Sequence, residues 1–206
     1  MHLFDQKILG LVILFLLGVL VVVKRMATGS VLDRPKGNFL IQLPNSFNLF
    51  FLLIVNPLAA LLLIIRRMEI IDPFRVTIDE PWILLGLEII GLVMYVIGYF
   101  LMARTLITLG GNYQLGGSAP RSEDKMVIDG PYKVVRHPMY TAALSISLGL
   151  ACLVQSWAFF LVFCIYLVLI IPLISVEVEE DGLRKAYGEH YVTYRLKVKK
   201  NIPFIY

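Results

Sequence analysis

The sequence predicts an all-α, polytopic membrane protein with five transmembrane helices and a polar C-terminal amphipathic helix. Three observations carry that expectation. Of the 206 residues, 58% are hydrophobic and 17% charged, too oily a balance for a soluble domain of this size. Apolar runs of membrane-spanning length recur along the chain. Lys and Arg gather on alternate connections between those runs.

The first run, residues 8–23, ends at Lys24-Arg25 without a small-residue cleavage site. It therefore reads as a retained span rather than a removed signal. It is short, and Lys7 and Lys24 extend it by snorkelling. The second span covers 47–65, with a kink expected at Asn56-Pro57. The third covers 82–103. Gly91 and Gly98, seven apart, mark a close helix contact there. Glu88 lies near the outer end of this span and reads as structural or interfacial. Residues 139–176 carry no charge at all. At about 1.5 Å per helical residue that stretch is too long for one crossing. It divides into spans 139–154 and 157–176, with Gln155-Ser156 as the tip of a tight hairpin.

With five spans, fifteen of the 19 Lys and Arg residues fall on one side of the membrane. Positive charge marks the cytoplasmic face. The N-terminus is thus expected outside, and the charged tail inside. Residues 1–206 read as a single membrane domain: 1–103 hold three N-terminal spans, and 104–206 hold a second part made of a two-helix hairpin and a polar C-terminal helix. Cys152 and Cys164 sit in apolar runs as small hydrophobes. Three scattered histidines make no metal site. No basic and aromatic groove points to nucleic acid.

Two charged stretches face the same side. The first is GPYKVVRHPMY, residues 130–140. Its prolines impose bends, and Arg136 is the residue type that grips a carboxylate or phosphate in a fork. Tyr132 and Tyr140 can stack on a flat ring. The second is the tail, EVEEDGLRKAYGEHYVTYRLKVKKNIPFIY. Leu183, Tyr187, Tyr191 and Tyr194 follow one helical stripe, topped by Glu179 and Glu180. Alone, this stripe suits an interfacial helix facing lipid. Beside the first block it suits a ligand with a carboxylate, an ammonium, a flat ring and a further positive centre. S-adenosylmethionine has all four.

VIDGPYKVVRHPMY, then two apolar helices, then EEDGLRKAYGEHYVTYRLKVKKNIPF together resemble the isoprenylcysteine carboxyl methyltransferase family, which is itself similar to the phospholipid N-methyltransferases. The likeness runs from about Gly111 to Phe204. It implies S-adenosylmethionine bound at the cytoplasmic face, with a lipid-like or prenylated acceptor entering from the membrane lipids. Carried over, Asn112, Tyr132, Arg136, His137, Tyr140, Glu179 and Glu180 form the cofactor pocket. Arg136, His137 and Glu180 are the candidate catalytic residues. Glu179 and Glu180 would hold the cationic cofactor, Arg136 its carboxylate, and His137 or a glutamate would be the base for an amine or thiol acceptor. The chain departs from the family pattern in three places: Ala142 stands where many members have glycine, the stretch Leu173-Ile174-Ser175 lacks the arginine often found a few residues before the glutamate pair, and Gln114 and Leu115 follow the upstream asparagine where a histidine often does. The expected reaction is carboxyl O-methylation of an isoprenylcysteine-type acceptor. Alternatives are a phospholipid amine or hydrophobic thiol acceptor, or a headgroup-binding or transport protein without enzymatic activity.

Overall fold

The computed structural model describes residues 4–33, 39–68, 80–115, 120–166 and 176–200. Among them every regular element is a helix, with one isolated parallel bridge between Val135 and Lys199. Helix α1, Gln6–Thr28, starts where the Asp5 carboxylate accepts from the backbone N–H groups of Lys7 and Ile8. It ends at Gly29. Helix α2, Phe39–Phe50, runs through a π turn, Phe51–Val55, into α3, Asn56–Ile64. The kink expected at Asn56-Pro57 takes this form. Pro57 has no N–H to continue the ladder, and the Asn56 N–H reaches back five residues to the Phe51 carbonyl. A widened turn of this kind absorbs the proline without breaking the helix.

Helix α4, Pro81–Leu109, packs along α5, Pro138–Val154, while α1 packs on α3 and α4. The close contact expected at Gly91 and Gly98 is present and has a third member. A Cβ on Gly98 would stand 2.8 Å from the Ile146 backbone nitrogen. One on Gly149 would stand 2.6 Å from that of Tyr95. Only glycine lets these two backbones approach so far. The hairpin tip falls where expected. Gln155 turns the chain in the left-handed region at φ 57°, and Ser156 caps α6, Trp157–Ile165, by accepting from the Phe159 N–H at 3.0 Å.

Glu88 is fully buried. Its carboxylate accepts from the Gln155 side chain and from the Phe4 backbone N–H, both at 2.8 Å. It ties the start of the chain to α4 and to the hairpin tip, a structural role at the end of the bundle opposite the cavity described below.

The stretches Gln6–Thr28, Asn45–Ile64 and Pro81–Asn112 are each long and apolar enough to cross a bilayer. Helix α5 is shorter, at 17 residues. The second half of the fifth expected span, 167–175, lies outside the described residues. The protein is an integral membrane protein with a helical bundle.

The tail departs from expectation. It is two helices, not one: α7, Glu177–Tyr187, and α8, Glu189–Lys197. Gly188 separates them at φ 55° and ψ −130°, a backbone conformation that only glycine adopts easily. The helix breaks at that corner, yet Leu183 and Tyr187 before it and Tyr191 and Tyr194 after it line the same cavity.

Candidate functional site

A cavity opens where the bundle meets the tail. Its inner part is an apolar corridor lined by Leu20 of α1, Leu49 and Phe51 of the second span, Met102 and Leu106 of α4, and Ile146 of α5. Its outer part is a polar chamber, with Asn112, Tyr132, Tyr140, Glu179, Tyr187 and Tyr191 on its wall. The tyrosine stripe thus faces inward, across the α7–α8 corner, and not toward lipid. Tyr191 is 2% exposed.

Backbone pairing closes the chamber. The N–H groups of Arg136 and His137 donate to the Lys199 and Lys200 carbonyls at 2.8 and 3.1 Å. Tyr194 donates to the Tyr132 carbonyl at 2.6 Å, and Lys200 makes an ion pair with Glu177. The basic end of the tail therefore returns to the Arg-His-Pro block. His137 stands outside helical geometry, at φ −122° and ψ 61°. Pro138 then opens α5 at the position where its missing N–H is harmless.

The charged groups are arranged around Glu180. One of its oxygens, Oε1, accepts from Arg136 Nε at 3.0 Å, Arg136 Nη2 at 2.8 Å and His137 Nε2 at 3.1 Å. Arg136 Nη1 donates to the carbonyls of Arg195 and Val198. On the other edge of the imidazole, Nδ1 lies 3.6 Å from Glu179. Tyr140 donates to Glu179 at 3.0 Å. Burial alone would raise the Glu180 pKa, but hydrogen bonds from His137 and Arg136 and their charge bring it down to about 2. Burial alone would lower that of His137. Hydrogen bonds to Glu179 and Glu180, and their charge, raise it above 6.5. The Tyr132 phenol is pushed well above 10 by burial and then by Glu179.

Of the residues expected from the sequence, Asn112, Tyr132, Arg136, His137, Tyr140 and Glu179 all reach the cavity wall. Glu180 stands behind it, joined to Arg136 and His137. The pairing of Arg136 with a ligand carboxylate is not what the structure presents: its guanidinium is committed to Glu180 and two carbonyls. His137 lies between two carboxylates whose hydrogen bonds and charge raise its pKa above the ordinary histidine value, which disfavours giving up its proton and weakens it as a base. Sequence reasoning missed Lys24, Asn45, Asn48 and Tyr113, which also line the cavity. Lys24 does not snorkel outward. It points at Asp33 and Tyr113. Paired asparagines inside an apolar span were the available signal for the α2 face.

Two polar atoms test whether this chamber suits a bound cofactor. The Tyr191 hydroxyl is buried with no hydrogen-bond partner among the described residues, and Glu180 Oε2, behind the wall, has only the Arg195 guanidinium at 3.4 Å. Tyr191 is on the chamber wall, beside the Glu179 carboxylate and several phenol rings. That set fits a cationic, ring-bearing, hydrogen-bonding molecule such as S-adenosylmethionine.

Fold and site together define an integral membrane protein whose helical bundle holds a cavity, apolar within and polar at its mouth. The chain belongs to the phospholipid methyltransferase family, whose profile matches residues 87–190. The isoprenylcysteine methyltransferase likeness is also met. The chain is 28% identical over 127 residues to protein-S-isoprenylcysteine O-methyltransferase B of Arabidopsis thaliana, covering 56% of this chain and 58% of that one. It is 30% identical over 131 residues to the protein-S-isoprenylcysteine O-methyltransferase of Xenopus laevis, covering 58% and 41%. The chain spans about half the length of the curated relatives it matches. A eukaryotic intramembrane Ras methyltransferase, an isoprenylcysteine carboxyl methyltransferase, shares the fold at a TM-score of 0.53 and 17% identity, over 95% of this chain and 85% of that one.

Proposed function

We propose that this protein transfers a methyl group from S-adenosylmethionine to a membrane-associated acceptor, an isoprenylcysteine-type carboxylate. The observation that carries this reading is the single cavity that joins an acidic, tyrosine-walled chamber to an apolar corridor inside the bundle. A soluble, cationic cofactor suits the first part and a lipid-like chain the second. The names of the relatives support the acceptor class. A patch that only gripped anionic headgroups would not present Glu179 in its cavity.

When bound, S-adenosylmethionine supplies an electrophilic methyl group on a sulfonium. Residues of this chain do the rest. Glu179, on the wall and held by Tyr140, offers the negative charge. Tyr132 and Tyr187 offer ring faces and Asn112 a polar contact. Arg136, His137 and Glu180 are positioning residues: their mutual pairs fix Glu179 and clamp residues 198–200 over the chamber. A carboxylate acceptor needs no general base, so this reading asks no proton transfer of His137. Alignment and exclusion of water supply the rate. The charge asymmetry of the connections supports a cytoplasmic chamber and an external N-terminus.

The test is calorimetric titration of the purified full chain with S-adenosylhomocysteine, followed by transfer of labelled methyl to N-acetyl-S-farnesylcysteine. Saturable binding and label in the ester are expected. A folded preparation in lipid that binds no S-adenosylhomocysteine would overturn the reading.

A further inference from the structure

Lys24 has no part in the chamber described above, yet it lines the same cavity. It lies one helical turn beyond Leu20 and Val21, which line the corridor on the same face of α1. Its side chain is 15% exposed, and its ammonium sits 4.9 Å from the centre of the Tyr113 ring. A cation in so apolar a place needs partners. Its ammonium donates to Asp33 Oδ2 at 2.5 Å, to the Ser30 carbonyl at 3.2 Å and to the Ser30 hydroxyl at 3.3 Å. All three belong to one short segment just after α1, and Ser30 itself donates to Asp33 at 2.7 Å.

The other cations on the cavity wall are placed differently. Arg136 is committed to Glu180 and two carbonyls. Lys125 is exposed, on the loop after the chamber. Lys24 alone among the described wall cations extends from the corridor side, with Asn45 and Asn48 on the facing span.

We propose that Lys24 is the acceptor-recognition residue, exchanging the Asp33 carboxylate for the anionic oxygen head, carboxylate or phosphate, of an amphiphile lying in the corridor. The inference rests on the methyl-transfer reading only in calling that amphiphile the acceptor. Because the partners of Lys24 sit on one segment, a competing anion needs to displace only that segment. For a carboxylate acceptor the exchange also reverses itself. One acceptor oxygen bonds to the methyl carbon as the carbon–sulfur bond breaks, and no proton moves. The ester is neutral, loses its attraction to Lys24, and Asp33 returns. Product release is thereby coupled to the chemistry.

The experiment uses the full chain in lipid nanodiscs and three farnesyl probes: N-acetyl-S-farnesylcysteine, its neutral primary amide, and farnesyl phosphate. Wild type is expected to bind one anion at least about tenfold more tightly than the amide, a difference of about 1.4 kcal/mol. The tighter anion identifies the head. Lys24→Met should erase that preference, Lys24→Arg should keep it, and Asp33→Asn should tighten anion binding several-fold. S-adenosylhomocysteine affinity should stay unchanged in all three. The proposal is overturned if Lys24→Met keeps the anion preference, or if Asp33→Asn weakens anion binding as Lys24→Met does, which is the signature of a purely structural pair. It is also overturned if no probe binds to protein that binds S-adenosylhomocysteine. Failure to bind S-adenosylhomocysteine with the anion preference intact would instead sink the methyl-transfer reading and leave Lys24 as an anion-recognition residue.

Discussion

Arg136 and Glu180, 44 residues apart in sequence, meet at 2.8 Å with side chains only 9% and 4% exposed. Such a pair is a poor source of net stability but a costly thing to break. Removing Arg136 leaves the buried Glu180 carboxylate with only His137 and the half-exposed Arg195, and removing Glu180 leaves the Arg136 guanidinium with backbone carbonyls and, among the described residues, no counter-charge beside it. Arg136→Ala and Glu180→Ala should each lower stability by about 3–5 kcal/mol, measured by thermal unfolding in detergent. The double variant Arg136→Met, Glu180→Leu should recover a substantial part of that loss. Strictly additive losses would mean that the pair does not hold the fold.

Loss of ligand binding in those single variants therefore speaks to the scaffold as much as to contact. Glu179→Gln is the cleaner probe, since Glu179 reaches the chamber wall and keeps most of its shape as glutamine. It should weaken S-adenosylmethionine by about tenfold, roughly 1.4 kcal/mol, and S-adenosylhomocysteine much less. The two ligands differ in the sulfonium charge. Equal weakening of both, read by titration, would remove Glu179 as the counter-charge.

The same cluster makes stability depend on pH in a defined direction. His137 has its pKa raised above 6.5 in the folded protein. Its contribution is complete below 6.5 and is lost as pH rises through the raised value. Glu180 is lowered from 4.5 to about 2, so its contribution is complete above 4.5 and is lost as pH falls toward 2. The cluster should thus stabilise most between 4.5 and 6.5. The melting-temperature gap between wild type and His137→Asn, followed from pH 5 to 9, should narrow on the alkaline side. A gap that widens with rising pH would reverse the assignment of His137 as a cation.

Helix contact gives a test free of electrostatics. Gly149→Ala places a methyl group 2.6 Å from a backbone nitrogen of Tyr95. That overpacking should cost about 1–3 kcal/mol. Gly86→Ala, on the same α4 helix but with nothing within 4 Å, should be neutral or slightly stabilising. Thermal unfolding of the two variants decides it, and equal melting temperatures would show that α4 and α5 are not in tight contact.

Much of this was legible in the sequence because the relevant signals are local. Apolar runs, the Gln155-Ser156 tip and the glycine spacing each depend on a few consecutive residues or one helical period. The site residues were legible as a set because two charged blocks share one face. Their individual partners were not. Glu180 and Glu179 are adjacent in the chain, yet the helix points one behind the wall at Arg136 and the other into the chamber, and no periodicity of two residues distinguishes them. The tail stripe was legible as a set, since Leu183, Tyr187, Tyr191 and Tyr194 line one cavity, but the break at Gly188 into two helices was not, because a single positive-φ residue leaves no mark on the apolar spacing. Lys24 resembled an ordinary flanking lysine until the segment after α1 was seen to fold back onto it.

The clasp between residues 136–137 and 199–200 has a consequence for biosynthesis. The helices of the bundle can enter the bilayer as the ribosome makes them, but the chamber has no closing wall until residues 199–200 have emerged. A nascent chain, or one whose tail has been clipped by a protease, would carry the apolar corridor with an open mouth. On the proposed function, competence is withheld until translation has passed the clasp, and proteolysis of the tail would silence methyl transfer while leaving the protein embedded.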